Sequence, residues 1–121
     1  MNLLLIAIGG ALGSVARYLF STFVLRATGS LFPAGTFAVN AVGCFIFGLI
    51  AGAAEQRVVF PPEIRAFLLI GVLGGFTTFS SYAFESFTLI RDGQFLWASM
   101  NLAGQVVMGV VGLAVGFAIM R

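Results

Sequence analysis

The 121-residue chain has no lysine and no histidine. All six of its basic residues are arginines, Arg17, Arg26, Arg57, Arg65, Arg91 and Arg121, and its four acids are Glu55, Glu63, Glu85 and Asp92. A single cysteine, Cys44, excludes an internal disulfide and reads as a small buried hydrophobe. Without histidine, a zinc or other transition-metal site lacks ligands. Charged residues make up 8% of the chain, against about 25% in soluble domains, while 60% of it is hydrophobic. A small soluble protein has much surface for its volume and must cover it with polar groups. Six basic and four acidic side chains cannot do so, which excludes a soluble enzyme and a disordered tail. A net charge of +2 is also too weak to indicate binding of nucleic acid.

What is there is four long apolar segments, over about 2–25, 33–54, 63–90 and 95–120. Each approaches or exceeds the roughly 20 residues that cross a 30 Å hydrocarbon core. They predict an all-α integral membrane protein, a single domain of four transmembrane helices over 1–121. The first segment has no positive n-region and no cleavage site, so it is expected to be a retained span. Thr28, Gly29 and Ser30 mark the first connection, Pro61-Pro62 the second and Arg91-Asp92-Gly93-Gln94 the third. Pro33 and Pro62 fall at helix starts, where a missing N–H costs little.

An even number of crossings puts both termini on one side, with Arg57, Arg65 and Arg121. Arg26 and Arg91 lie on the other, joined by Arg17 if it counts with the nearer end of its span. So even a balance gives almost no orientation preference under the positive-inside rule. Either another feature sets one orientation, or the chain inserts both ways and assembles as an antiparallel, dual-topology dimer. The pairs Gly9/Gly13, Gly48/Gly52, Gly71/Gly75 and Gly112/Gly116, one per span, point to close helix packing.

The third span carries the strongest signal. Gly74-Gly75 followed by Thr77, Thr78, Ser80 and Ser81 is a poor stretch for continuous helix. It predicts a break near the midplane, where non-helical backbone must be buried in protein or line a watery cavity. Freed carbonyls at such breaks can coordinate ions; a kink filled by hydroxyls is the structural alternative. In the second span Thr36 and Asn40 share a helix face, and an amide at that depth serves either a pore or an interhelical contact. Phe79 and Tyr82 also share a face, and aromatic ring edges carry partial positive charge. Edges, amide and hydroxyls together suit a small hard anion. Arg17 either snorkels to the interface or lines an aqueous vestibule. Glu85 is a candidate partner for an arginine of a second chain, and Phe95 and Trp97 read as interface anchors.

Over essentially its whole length the sequence resembles the Fluc/CrcB family of bacterial fluoride channels. The resemblance rests on Gly9-Gly10 and Arg17-Tyr18, on Gly35-Thr36 through Val39-Asn40, and on Gly74-Gly75-Phe76-Thr77-Thr78-Phe79-Ser80 followed by Glu85. It implies an antiparallel homodimer with two fluoride pores in the bacterial inner membrane. It also implies a structural sodium ion at the dimer centre, on the carbonyls of Gly74 and Thr77. It puts Asn40, Phe79, Tyr82, Ser80 and Ser81 on the fluoride path and Arg17 in the vestibule. Two departures stand out: the second pore aromatic is Tyr82, not Phe, and Gly109 and Leu113 stand where relatives often place hydroxyls on the fourth span. There, either Gln105 and backbone groups substitute, or the chain works as a heterodimer with a paralogue. Two other functions compete with passive fluoride export. A small dual-topology multidrug antiporter would need an embedded carboxylate, for which Glu85 is the one candidate within a span. A non-transporting structural membrane subunit would need none of these polar groups.

Overall fold

In a computed structural model the described residues are 2–29, 32–56 and 59–121. Arg57 of the arginine balance and Ser30 of the first connection lie outside them. The described elements are helices: α1 (Asn2–Thr28), α2 (Ala34–Glu55), α3 (Pro62–Arg65), a π-helical stretch (Ala66–Leu73), α4 (Gly74–Phe76), α5 (Phe79–Arg91) and α6 (Phe95–Met120). Four helical spans are long and apolar enough to cross a membrane, with Pro62–Arg91 counted as one. At 1.5 Å per residue the 26-residue α6 is about 39 Å long, which crosses a bilayer with some tilt.

The ends follow local chemistry. Helix α1 runs three residues past the expected Leu25, and in its last turn the Thr28 hydroxyl donates back to the Val24 and Leu25 carbonyls at 3.0 and 3.3 Å. It stops at Gly29, which takes φ +57. Helix α5 ends in a Schellman turn: Gly93 at φ +76 donates to Ile90, and Gln94 donates to Leu89 at 2.8 Å. Pro62 occupies the first turn of α3, as expected.

Glycines set the packing. Helix α1 lies on the π-helical stretch and α4, and α2 lies on α6. A Cβ on Gly9 would meet the Phe67 carbonyl oxygen at 2.7 Å, and one on Gly75 would meet that of Gly10 at 2.7 Å. In the other pair, Gly48 and Gly52 press on the carbonyls of Leu113 and Phe117, and Gly116 on that of Phe45. The small-residue pairs therefore join the first span to the third and the second to the fourth. Beyond the break the third span changes neighbour, and α5 packs on α6.

Candidate functional site at the break in the third span

The helix ends at Phe76, and the next two residues are extended, Thr77 at φ −85, ψ 156 and Thr78 at φ −149, ψ 115. The Thr78 hydroxyl caps the new helix by accepting from the Ser81 N–H at 3.2 Å. It also donates to the Ser81 hydroxyl at 3.1 Å and lies 3.4 Å from that of Ser80. Asn40 supplies what the interrupted ladder lacks. Its Oδ1 accepts from the Thr78 N–H at 2.8 Å, and its Nδ2 donates to the Thr78 carbonyl at 3.0 Å.

These bonds take two N–H groups out of the helical ladder. In an unbroken helix the Thr78 N–H would bond to the Gly74 carbonyl and the Ser81 N–H to the Thr77 carbonyl. The first goes to Asn40 and the second to the Thr78 hydroxyl. The Gly74 and Thr77 carbonyls, from which these two donors are diverted, are the pair that the resemblance assigned to a cation. Hard carbonyl oxygens are a fitting donor type for an alkali ion.

The second N–H of the Asn40 amide donates to Gln105 Oε1 at 2.7 Å. Gln105 Nε2 donates to Asn101 Oδ1 at 2.8 Å, and Asn101 Nδ2 to the Ser86 hydroxyl at 2.8 Å. Asn101 is 0% and Ser86 2% exposed, so the inner end of this chain of amides is enclosed, while Asn40 and Gln105 border an open groove. Its direction is forced. Backbone N–H and C=O of Thr78 can be met by Asn40 in only one orientation, and each amide then orients the next.

Phe79 and Tyr82 meet with ring centroids 5.6 Å apart at an interplanar angle of 57°. Tyr82 is buried and its hydroxyl donates to the Leu102 carbonyl at 2.6 Å, whereas Phe79 is 77% exposed on the single chain. The hydroxyl that distinguishes Tyr82 is thus engaged with α6. Both rings, with Asn40, Thr77, Thr78 and Gln105, line an open groove of about 500 Å³. Ser81 is half-buried, and Ser80 is exposed.

A smaller polar cleft of about 260 Å³ lies on the other side of Thr78, lined by Arg17, Ser14, Ser21, Thr36, Ser81 and Glu85 among others. Thr36 donates to Glu85 Oε1 at 2.8 Å, while Glu85 Oε2 is buried without a hydrogen-bond partner among the described residues. Arg17 is half-buried here, within its span. Cys44 is half-buried and borders the groove, and Trp97 packs against Phe32 with centroids 5.7 Å apart.

Of the residues that the resemblance put on the fluoride path, Asn40, Phe79 and Tyr82 line the groove together, with Gln105 added from the fourth span; Ser81 lines the cleft with Arg17, and exposed Ser80 lines neither. Sequence reasoning missed that Thr78 is the residue clamped and that Glu85 is held by Thr36. The i, i+4 pair Thr36/Asn40 was the signal: Asn40 bonds to Thr78, and Thr36 bonds to Glu85 in the cleft that Thr78 also lines.

Four apolar membrane-crossing helices around a clamped break define a small multi-pass membrane protein with polar groups gathered inside its third span. Residues 4–117 match the family described as CrcB-like protein, Camphor Resistance (CrcB), and the chain belongs to that family. A protein of Maridesulfovibrio salexigens named fluoride-specific ion channel FluC is 49% identical, over 93% of this chain and 93% of its own length. One of the same name from Nitrosococcus oceani is 45% identical over 94% and 91%, and one from Chlorobium phaeobacteroides 50% over 93% and 87%.

Proposed function

We propose that the protein is a fluoride-selective channel that lets fluoride leave the bacterial cytoplasm passively across the inner membrane. The observation that carries this reading is the Asn40-clamped break beside the edges of Phe79 and Tyr82, in a chain so similar to relatives named as fluoride channels. Hydrogen fluoride enters cells as a neutral molecule and ionises inside, so an exit for the anion lowers toxicity. No covalent step is required.

Fluoride is small and strongly hydrated, and a path for it must replace water with donors. Hydrogen bonds to charged groups contribute about 1.5–3 kcal/mol each. The polar cleft, with Arg17 as the attracting charge, is the vestibule. Ser80, Ser81 and Asn40 supply donors beside the break, and the rings of Phe79 and Tyr82 present positive edges along the groove. With no full cation in the narrow part, the anion is not trapped there.

The groove is open on a single chain, and a second copy placed antiparallel would close it. The balanced arginines and the exposed Phe79 support such a homodimer. Gly74 and Thr77 of each copy would then hold a sodium ion through their carbonyls, and the ion would supply a fixed positive charge between the pores. Liposomes loaded with fluoride and containing the purified protein should release it far faster than chloride-loaded ones release chloride. Equal rates would refute the channel reading.

A further inference from the structure

The Asn40 amide has two N–H donors, and both are occupied. One meets the Thr78 carbonyl at 3.0 Å and the other Gln105 Oε1 at 2.7 Å. The first belongs to the backbone clamp, which also takes Asn40 Oδ1. Only the second bond ends on a side chain. We infer that Gln105 is a specificity-determining residue that stands in for the anion: its carbonyl oxygen occupies the Asn40 donor, and fluoride takes that donor by displacing it.

The geometry supports displacement. Gln105 borders the open groove beside Thr78 and Phe79, so its amide has space on one side. On the other it is tethered to Asn101, whose own amide is held by Ser86 in full burial. Gln105 can therefore surrender one bond while keeping the other. The competition is selective, because only an anion that forms a stronger bond than an amide carbonyl does, and fits where one oxygen sat, displaces it. A neutral oxygen acceptor gains nothing by the exchange. The dipoles from Ser86 to Asn40 all point the same way, so the tether also fixes which end of Gln105 faces the path.

This inference rests on the fluoride-channel reading, and the test separates the two. Gln105→Met keeps the bulk and removes the competing oxygen, together with the donor to Asn101. A surrendered neutral hydrogen bond corresponds to about five-fold in binding, so the fluoride concentration for half-maximal efflux should fall about five-fold with no loss of maximal rate. A merely structural role for Gln105 would lower the maximal rate instead. Wild-type liposomes that fail to release fluoride would remove the channel reading. Wild-type liposomes that conduct, with a folded Gln105→Met variant whose half-maximal concentration is unchanged or raised, would overturn the inference.

A measurement on the wild-type protein covers the case of a variant that does not fold. The chain has three glutamines, of which Gln56 and Gln94 are exposed and Gln105 is 8% exposed. With the side-chain amides of glutamine labelled with nitrogen-15, the buried signal should shift and saturate as sodium fluoride is added, and stay still with sodium chloride. A buried signal unmoved by fluoride overturns the displacement.

Discussion

Asn40 is the residue on which the site turns, because one side chain satisfies the Thr78 backbone at the break and borders the groove as well. Asn40→Asp keeps the acceptor for the Thr78 N–H but loses both donors. A carboxylate would then confront the Thr78 carbonyl and the Gln105 oxygen. Fluoride efflux from liposomes should drop at least about a hundredfold, since an unpaired buried charge costs several kcal/mol. Normal efflux in that variant would remove Asn40 from the mechanism. Thr78 has a separable duty as the cap of α5. Thr78→Val should destabilise the protein by about 1 kcal/mol, seen as a lower melting temperature in detergent, whereas Thr78→Ser should restore it. These roles were partly legible beforehand. The hydroxyl run announced a break, and an isolated amide in an apolar helix announced a partner. Which residue the amide would grip was not legible, because Thr77 and Thr78 are identical in chemistry and differ only in the direction the chain takes after Phe76.

Among the elements, the third span is the one assembled from unlike parts. Its first half leans on α1 through Gly71 and Gly75, and its second half leans on α6. The break is the joint that lets one span serve both neighbours, and the widened π-helical turns before it were not anticipated by any sequence signal. Such turns often accompany functional sites. The glycine pairs, by contrast, were readable, and their close approaches fall where expected. Carbonyl oxygens of the opposite helix fill the space a methyl group at Gly48 would need, and backbone cannot move aside as a side chain can. Gly48→Ala should therefore separate α2 from α6 and abolish a folded species on size-exclusion chromatography. Gly10→Ala meets nothing within 4 Å and should elute and melt like the wild type.

At the scale of the whole molecule, large apolar side chains cover the outside of the chain, among them Leu3, Phe23, Phe79, Phe84 and Val110. Four helices of this length enclose only a small core, which leaves these side chains to lipid and, in the proposed dimer, to a second copy. The arginine balance predicts that insertion is undirected. With Cys44 replaced by serine and a single cysteine placed at Gly93, a membrane-impermeant thiol reagent added outside intact cells should label about half of the molecules. Labelling of all or none would establish a single orientation and remove the antiparallel dimer.

The membrane class, the number of spans, the broken third span and the family were determined by the sequence, because each depends on local quantities: apolar run length, glycine and hydroxyl placement, and short contiguous motifs. The tertiary structure alone decided which groups are free and which are taken. Gln105 lies 65 positions from Asn40 and Glu85 lies 49 from Thr36, so no local pattern pairs them. Helix packing does, by bringing α6 and α5 against α2 at one height. A side-chain amide has two N–H donors to give, and only the folded arrangement shows which acceptors those of Asn40 meet.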